Sequence, residues 1–272
     1  MPTLYVVATP IGNLEDITVR AMRVLRDASL IAAEDTRRTL KLLNALGIKK
    51  ALTSYYEHNK LSKLDYILGQ LEKGDVALVS DAGTPGIADP GAELIAAAIG
   101  RGFLVEAVPG PSAVMAALSV SGLPAAEFRF VAFLPRKAGE RSAVLAKLAA
   151  DQATLVFLEA PHRLRATLAA LIESLSDRKA AVCRELTKLH EEVFRGRLSE
   201  ALEHFTEPRG EFVLVVEGAK TAEREPVLDE TVINRLRLMK AKGITARDAV
   251  DEVASDSGLS RKEIYGAWLE LG

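Results

Sequence analysis

Short apolar runs rich in β-formers alternate with longer helical patterns through the first half of the chain. Runs at residues 4–8, 30–33, 76–80 and 104–108, with a weaker one at 51–55, are bounded by polar or Gly/Pro residues and read as strands. Between them Leu61, Leu64, Leu68 and Leu71 fall on one helical face, and Gly74 stands where a C′ glycine would end that helix. This alternation predicts a mostly parallel sheet covered on both faces. The rhythm pauses at 122–126 and restarts, which predicts a second α/β half with strands at 128–133, 154–158, 180–185, 193–196 and 211–217 and helices near 138–149 and 164–175. After Gly218 the charged stretch 220–226 reads as a linker and the remainder is helical in pattern. There Thr245-x-x-Asp248 and Ser260-x-x-Glu263 have capping-box spacing, with Gly258 between them. That outline fits a helix-turn-helix, or equally a small helical cap packed through Ile264, Trp268 and Leu271. The expected organisation is an α/β domain over 1–121, a second over 122–220 and a helical unit over 226–272.

Composition narrows the class. A chain of 272 residues with 49% hydrophobic and 26% charged residues has room for two ordinary domains and excludes a disordered or fibrous protein. The net charge is −2, so a polyanionic partner must be met by a local patch. Cys183 is the single cysteine and the four histidines contain no His-Glu-x-x-His pair, which argues against a disulfide framework or a metal site. The uncharged run 107–126 could span a bilayer by length, but Pro109, Gly110, Pro111, Gly122 and Pro124 interrupt it, and it reads as strand, loop and buried helix. With no membrane span, no secretory pattern at the first residues and one cysteine, the expected compartment is the cytoplasm.

Candidate chemistry lies in the loops. Three Gly/Pro-rich segments, residues 9–13, 81–91 and 109–113, each follow the carboxyl end of a predicted strand, the edge at which open α/β sheets bind ligands. None is a Gly-x-Gly-x-x-Gly or a Gly-x4-Gly-Lys-Ser/Thr phosphate cradle, which sets an NTPase or nucleotide-dependent oxidoreductase aside. Their prolines remove N–H donors, so an adenosyl or amino-acid ligand suits them better than a triphosphate. Polar clusters also follow strand ends: Glu34-Asp35-Thr36-Arg37-Arg38, Glu57-His58-Asn59, Arg136-Lys137, His162-Arg163 and Arg184-Glu185-Leu186-Thr187-Lys188. Singly, each reads as well as helix caps and surface ion pairs. Together, Arg, Lys, His and Asn beside a pocket are what a phosphodiester backbone requires. Residues 178–197 carry six cations against three acids, whereas 223–272 carry eight against ten, so the basic rim is expected in the α/β part and not in the tail.

These strings resemble a known family. Val7-Ala8-Thr9-Pro10-Ile11-Gly12-Asn13-Leu14-Glu15-Asp16-Ile17-Thr18, Val79-Ser80-Asp81-Ala82-Gly83-Thr84-Pro85, Pro109-Gly110-Pro111-Ser112-Ala113, Phe133-Leu134-Pro135-Arg136-Lys137, Pro161-His162-Arg163-Leu164, Arg184-Glu185-Leu186-Thr187-Lys188 and Gly210-Glu211-Phe212-Val213-Leu214-Val215 occur in the order found in the tetrapyrrole methylase superfamily, and more closely in its branch of 16S rRNA cytidine-2′-O-methyltransferases. Tyr56 stands where that pattern has histidine. The resemblance implies two α/β domains of class III methyltransferase type with S-adenosylmethionine in the cleft between them. It places cofactor contacts on Pro10, Gly83, Thr84, Ile87, Ala88, Ser112, Ala113, Leu158, Glu159, Glu211 and Phe212, and on Asp81 unless that residue orders its own loop. The implied reaction is methylation of a cytidine 2′-oxygen in the decoding-centre region of 16S rRNA within the small ribosomal subunit, by a homodimer. Glu185 is the first choice of general base and Asp35 its rival, with Lys188 and His58 lowering the hydroxyl pKa. Arg37, Arg38, Asn59, Arg136, Lys137, His162, Arg163 and Arg184 are the expected RNA contacts. The competing readings are a methylase of a tetrapyrrole or corrin precursor, and a non-catalytic RNA-binding assembly factor using the helical tail.

Overall fold

The computed structural model describes residues 2–56, 60–87, 89, 91–220 and 228–271, and the chain divides into two compact units, Met1–Ala219 and Lys220–Gly272. The expected linker residues 221–226, together with His58, Asn59, Ala88 and the side chain of Leu61, lie outside the described residues.

The first unit opens with β1 (Thr3–Val7), α1 (Val19–Asp27), β2 (Leu30–Ala33), α2 (Thr36–Ala45), β3 (Leu52–Ser54), α3 (Lys60–Leu71), β4 (Val76–Val79), α4 (Gly91–Gly100), β5 (Leu104–Val108) and α5 (Ala113–Ser121). Its five strands form a parallel sheet in the order β3-β2-β4-β1-β5. Strand side chains point alternately to the two faces, and the packing follows that period. Val7, Ile31, Ala33, Ala77 and Val79 pack with Val24 and Leu25 of α1 and Leu43 of α2. Leu4, Leu30, Ala32, Val76 and Leu78 pack with Ile67, Leu68 and Leu71 of α3 and Leu94 of α4. With both faces covered, β2 and β4 are apolar throughout, as the sequence predicted. α3 ends before Gly74, whose amide closes on the Gln70 carbonyl at 3.2 Å in a turn.

The chain continues through β6 (Phe128–Phe133), α6 (Ala138–Leu148), β7 (Thr154–Glu159), α7 (Leu164–Leu175), β8 (Lys179–Arg184), β9 (Glu192–Arg197), α8 (Leu198–His204) and β10 (Phe212–Val216). The second sheet is mixed. In the order β6-β7-β10-β8-β9 only the β6–β7 pair is parallel. β8 and β9 form a hairpin, so residues 185–191 are a loop thrown from one end of the sheet. One face buries Phe157, Val182, Phe212 and Leu214 under α6, α7 and α8. The other buries Val156, Ala181, Cys183, Val213 and Val215 against Val114, Ala117 and Leu118 of α5. α5, capped by the Ser112 side chain at its start and by Gly122 in a left-handed conformation (φ 75°) at its end, thus leaves the first sheet and packs on the second.

The second unit contains α9 (Glu230–Ala241), α10 (Ala246–Ser257) and α11 (Arg261–Glu270) around Leu236, Val253, Ile264 and Trp268. Thr245 caps α10, Ser260 and Glu263 form a full capping box on α11, and Gly258 takes the left-handed conformation between them (φ 70°). Among the described residues no helix is long and apolar enough to cross a membrane.

Candidate active site

Because β4, β1 and β5 are neighbours, the three Gly/Pro-rich loops leave the same sheet edge side by side. Thr9 and Gly83 bind each other through both backbone hydrogen bonds at 2.9 Å, which ties the first loop to the second. Gly83 has a positive φ of 79°, a conformation glycine adopts at no steric cost. The Thr84 hydroxyl donates to the Pro111 carbonyl at 3.4 Å, which ties the second loop to the third. Facing these loops across a cavity of about 610 Å³ are β7, β8, β10 and the 185–191 loop of the second sheet. The volume falls within the range of small-molecule sites. Of the expected cofactor contacts, Asp81, Gly83, Thr84, Ile87, Ser112 and Ala113 line the first wall and Leu158, Glu159, Glu211 and Phe212 the second. Pro10 lines instead an adjoining groove of about 290 Å³.

Lys188 is the centre of charge on the second wall. Its Nζ donates to Glu185 Oε1 and to Glu211 Oε2, each at 2.8 Å, and the Glu211 amide also donates to Glu185 Oε1 at 2.8 Å. Burial pushes the Glu185 carboxyl up, but the Lys188 ammonium and the Glu211 amide outweigh it and hold the group below the usual carboxylate range. Burial likewise opposes the charge on Lys188, and the two carboxylates overcome it and raise its pKa. The loop is held in uncommon backbone states: Glu185 and Thr187 have φ of 49° and 69°, left-handed values that cost non-glycine residues about 1 to 3 kcal/mol each. Two glycines admit it. A Cβ at Gly12 would overlap the Lys188 stem and the Thr187 hydroxyl, and one at Gly210 would overlap the Glu185 side chain.

Several sequence-chosen polar residues have other work. Asp35 is the N-cap of α2; it accepts from the Arg37 amide at 2.8 Å and from the Arg37 guanidinium at 2.7 and 3.1 Å, contacts that hold its carboxyl far below the usual range. Asp35 is also absent from the cavity wall, so the rival base is corrected to a helix cap. Asp81 orders its surroundings as well as lining the cavity: Oδ1 accepts from the Asp35 amide at 3.0 Å and Oδ2 pairs with Arg38 at 3.2 Å. Glu159 is fully buried at its carboxylate, which accepts from the Thr167 hydroxyl (2.6 Å) and the Ala160 amide (2.9 Å) and pairs with Arg163 (3.3 Å). Arg163 also donates to the Leu134 carbonyl at 2.6 Å, so its guanidinium braces the β6 end and is not presented to a phosphate. Arg184 bonds the Arg209 carbonyl at 2.8 Å and Glu192 at 3.3 Å, bracing the loop that carries Gly210. Arg136 and Lys137 are exposed, and Lys137 pairs with Glu140 at 3.0 Å. Arg37 is exposed against Asp35, and His162 lines the cavity.

The basic excess of 178–197 is not a rim. β8 runs from Lys179 toward the cleft and β9 returns, which places Arg178, Lys179 and Arg197 at the far end of the sheet. Arg178 binds the Leu175, Glu217 and Ala149 carbonyls, and Arg195 the Val120 carbonyl. Sequence counting could not separate the two ends of a hairpin.

Sequence reasoning missed Glu34 as a wall residue. It lies one position before the helix cap and reaches the cavity, where Oε2 accepts from the Asp81 amide at 3.1 Å; burial, with Asp81 and Asp89 nearby, raises its pKa. Phe130 and Phe133 of β6 also line the cavity, the latter about half exposed. Plain alternation would put these two on opposite faces; a register shift between Phe130 and Ala132, with Ala132 at φ 61°, brings both to the cavity, and that bulge leaves no mark in the hydrophobic pattern.

A parallel sheet whose loops meet the face of a second, mixed sheet across a cofactor-sized cavity defines a methylase of tetrapyrrole type. The profile of Tetrapyrrole (Corrin/Porphyrin) Methylases matches residues 3–202, and the chain belongs to this family. It is 45% identical, over 98% of its length and 94% of the relative's, to the ribosomal RNA small subunit methyltransferase I of Halalkalibacterium halodurans. The protein of that name from Thermotoga maritima is 48% identical over 99% of its own length, which spans 80% of this chain. Among solved structures, uroporphyrin-III C-methyltransferase from Thermus thermophilus complexed with S-adenosylhomocysteine matches with a TM-score of 0.58 and 23% identity over 80% of this chain and 97% of that one.

Proposed function

We propose that the protein transfers a methyl group from S-adenosylmethionine to a cytidine 2′-oxygen of 16S rRNA in the small ribosomal subunit, in the decoding-centre region, as a cytoplasmic homodimer. The observation that carries this reading is Lys188, held by two carboxylates on the wall of a cavity of cofactor size. The names borne by relatives 45% and 48% identical support the RNA substrate over a small tetrapyrrole. The donor set fits the cofactor: apolar Ile11, Ile87, Val114, Leu158 and Phe212 for the adenosyl group, and Thr84, Ser112 and the Gly83 backbone for its polar edges. When bound, that cofactor supplies a methyl group already activated on a sulfonium.

The chain's own work is then to position and deprotonate a ribose hydroxyl. Positioning in line supplies about 7 to 11 kcal/mol in well-oriented reactions. Lys188 has three N–H donors and spends two on Glu185 and Glu211, which leaves one for the substrate oxygen, where it stabilises developing negative charge. Glu185 directs Oε1 to Lys188 and to the Glu211 amide, and its Oε2 is the atom assigned to take the hydroxyl proton. Arg38 and His162, on the cavity wall, and the exposed Arg37, Arg136 and Lys137 are assigned to the phosphates.

Unmethylated small subunits incubated with labelled cofactor should gain one ribose methyl group on a cytidine, located by mass spectrometry of the rRNA. Glu185→Gln should slow single-turnover transfer about 10²- to 10⁴-fold, the usual range for a general base, while cofactor affinity holds. An unchanged rate would remove Glu185 from the role. Transfer to a corrinoid precursor, with none to RNA, would overturn the substrate.

A further inference from the structure

The groove of about 290 Å³ beside the cofactor cavity has, apart from the shared Arg38, no part in the reaction described above. It runs between the first loop and α2, with Pro10, Leu14, Leu42 and Ala45 as an apolar floor and Arg38 and Lys41 as cations. Arg38, Ser80 and Asp81 line both spaces, so the Arg38–Asp81 pair stands on their common border. Gly12 is also on its wall, at the point where a side chain would overlap the Lys188 stem, so the groove abuts the loop that carries Lys188. It therefore adjoins the loop that carries the proposed reacting centre.

We propose that this groove holds one unpaired nucleotide of the RNA next to the methylated one, its base on Pro10, Leu14 and Leu42 and its phosphate on Lys41. This rests on the RNA reading of the site and extends it to a second subsite. RNA read as single strand is recognised with its bases splayed out and seated on side chains, and its backbone is held by cations. The groove offers that pairing of surfaces within one nucleotide's reach of Lys188. Its size suits a single nucleotide, and its mixed apolar and cationic lining suits neither a purely ionic nor a purely apolar ligand. A 2′-oxygen can be presented to a methyl donor only if its neighbours in the strand are drawn aside, and the groove supplies a place for one of them.

The wild-type protein is first shown to methylate small subunits from a strain lacking the gene; failure there would overturn the RNA reading itself. Lys41→Ala should then raise the KM for subunits about tenfold and lower the slope of log affinity against log salt by about one, the signature of one lost phosphate contact. Ala45→Phe, at an exposed position on the last turn of α2, fills the groove and should raise the KM at least as much. In both variants the affinity for S-adenosylmethionine should equal that of the wild type, which also reports that they fold. Leu42→Cys labelled with a benzophenone should crosslink to rRNA adjacent to the methylated cytidine. The proposal fails if the wild type methylates subunits and both variants match its KM and salt slope. It fails equally if the label crosslinks to a ribosomal protein and not to rRNA.

Discussion

Glu185 and Lys188 show how one pair of side chains fixes both a charge state and a pH range. The folded state lowers the Glu185 pKa below its ordinary 4.5, so the stabilisation from that carboxylate is fully present at neutral pH and is lost as pH falls through the folded value. Activity should therefore show an acid limb below about 4.5 and none from this group above it. Lys188→Met removes the strongest hydrogen bond to the carboxylate, so the limb should move up in pH as kcat falls; a profile whose limb stays in place would detach Glu185 from the rate. Cys183 marks the opposite case. It lies at the cavity wall but is buried, and burial pushes its thiol up to about 11. The native protein should resist iodoacetamide at pH 7.5 and react within minutes once unfolded, as thiol titration would report. This also makes a single introduced cysteine selectively labelable.

Elements, more than single residues, decided what could be read in advance. Where a signal is local, the sequence carried it: the apolar runs of β1, β2 and β4, the Leu64, Leu68 and Leu71 face of α3, and the Ser260–Glu263 box, whose two reciprocal bonds form at 3.3 and 3.0 Å. Ser260→Ala should cost about 1 kcal/mol and lower the melting temperature of the helical unit without touching methyl transfer, a separation that circular dichroism and the assay can make together. What was not legible depended on pairing across the chain. β10 inserts between β7 and β8, and β8 turns back into β9, so the second half is a mixed sheet with a projecting loop. That reversal is what brings Glu185 and Lys188 to Glu211, 26 and 23 residues away in sequence. It also sends Arg178 and Arg197 to the far end, where a count of charges along the chain had placed them on the rim. Glu34 and Asp35 divide along the same line: only the start of α2 decides which carboxylate caps the helix and which faces the cavity.

At the scale of the molecule, the helical unit is a separate compact body with its own core, and the Thermotoga maritima relative is matched almost whole over a span of this chain that leaves out a fifth of it. Deletion of residues 226–272 should therefore leave S-adenosylmethionine affinity intact, measurable by calorimetry, and any loss should be confined to subunit recognition. The α/β unit is bound differently. α5 follows β5 of the first sheet, yet its Val114, Ala117 and Leu118 are buried on the second. Leu118→Ala should cost about 2 to 5 kcal/mol and lower hydrogen-exchange protection in the second sheet more than in the first. α5 thus travels with the second sheet, and the third Gly/Pro-rich loop, residues 109–112, is the joint between the two cavity walls. The parts of the wall that can yield without disturbing either core are the half-exposed Phe133 and the exposed Ile87. Ligand passage at that mouth asks only for side-chain and loop motion, which runs orders of magnitude faster than domain motion.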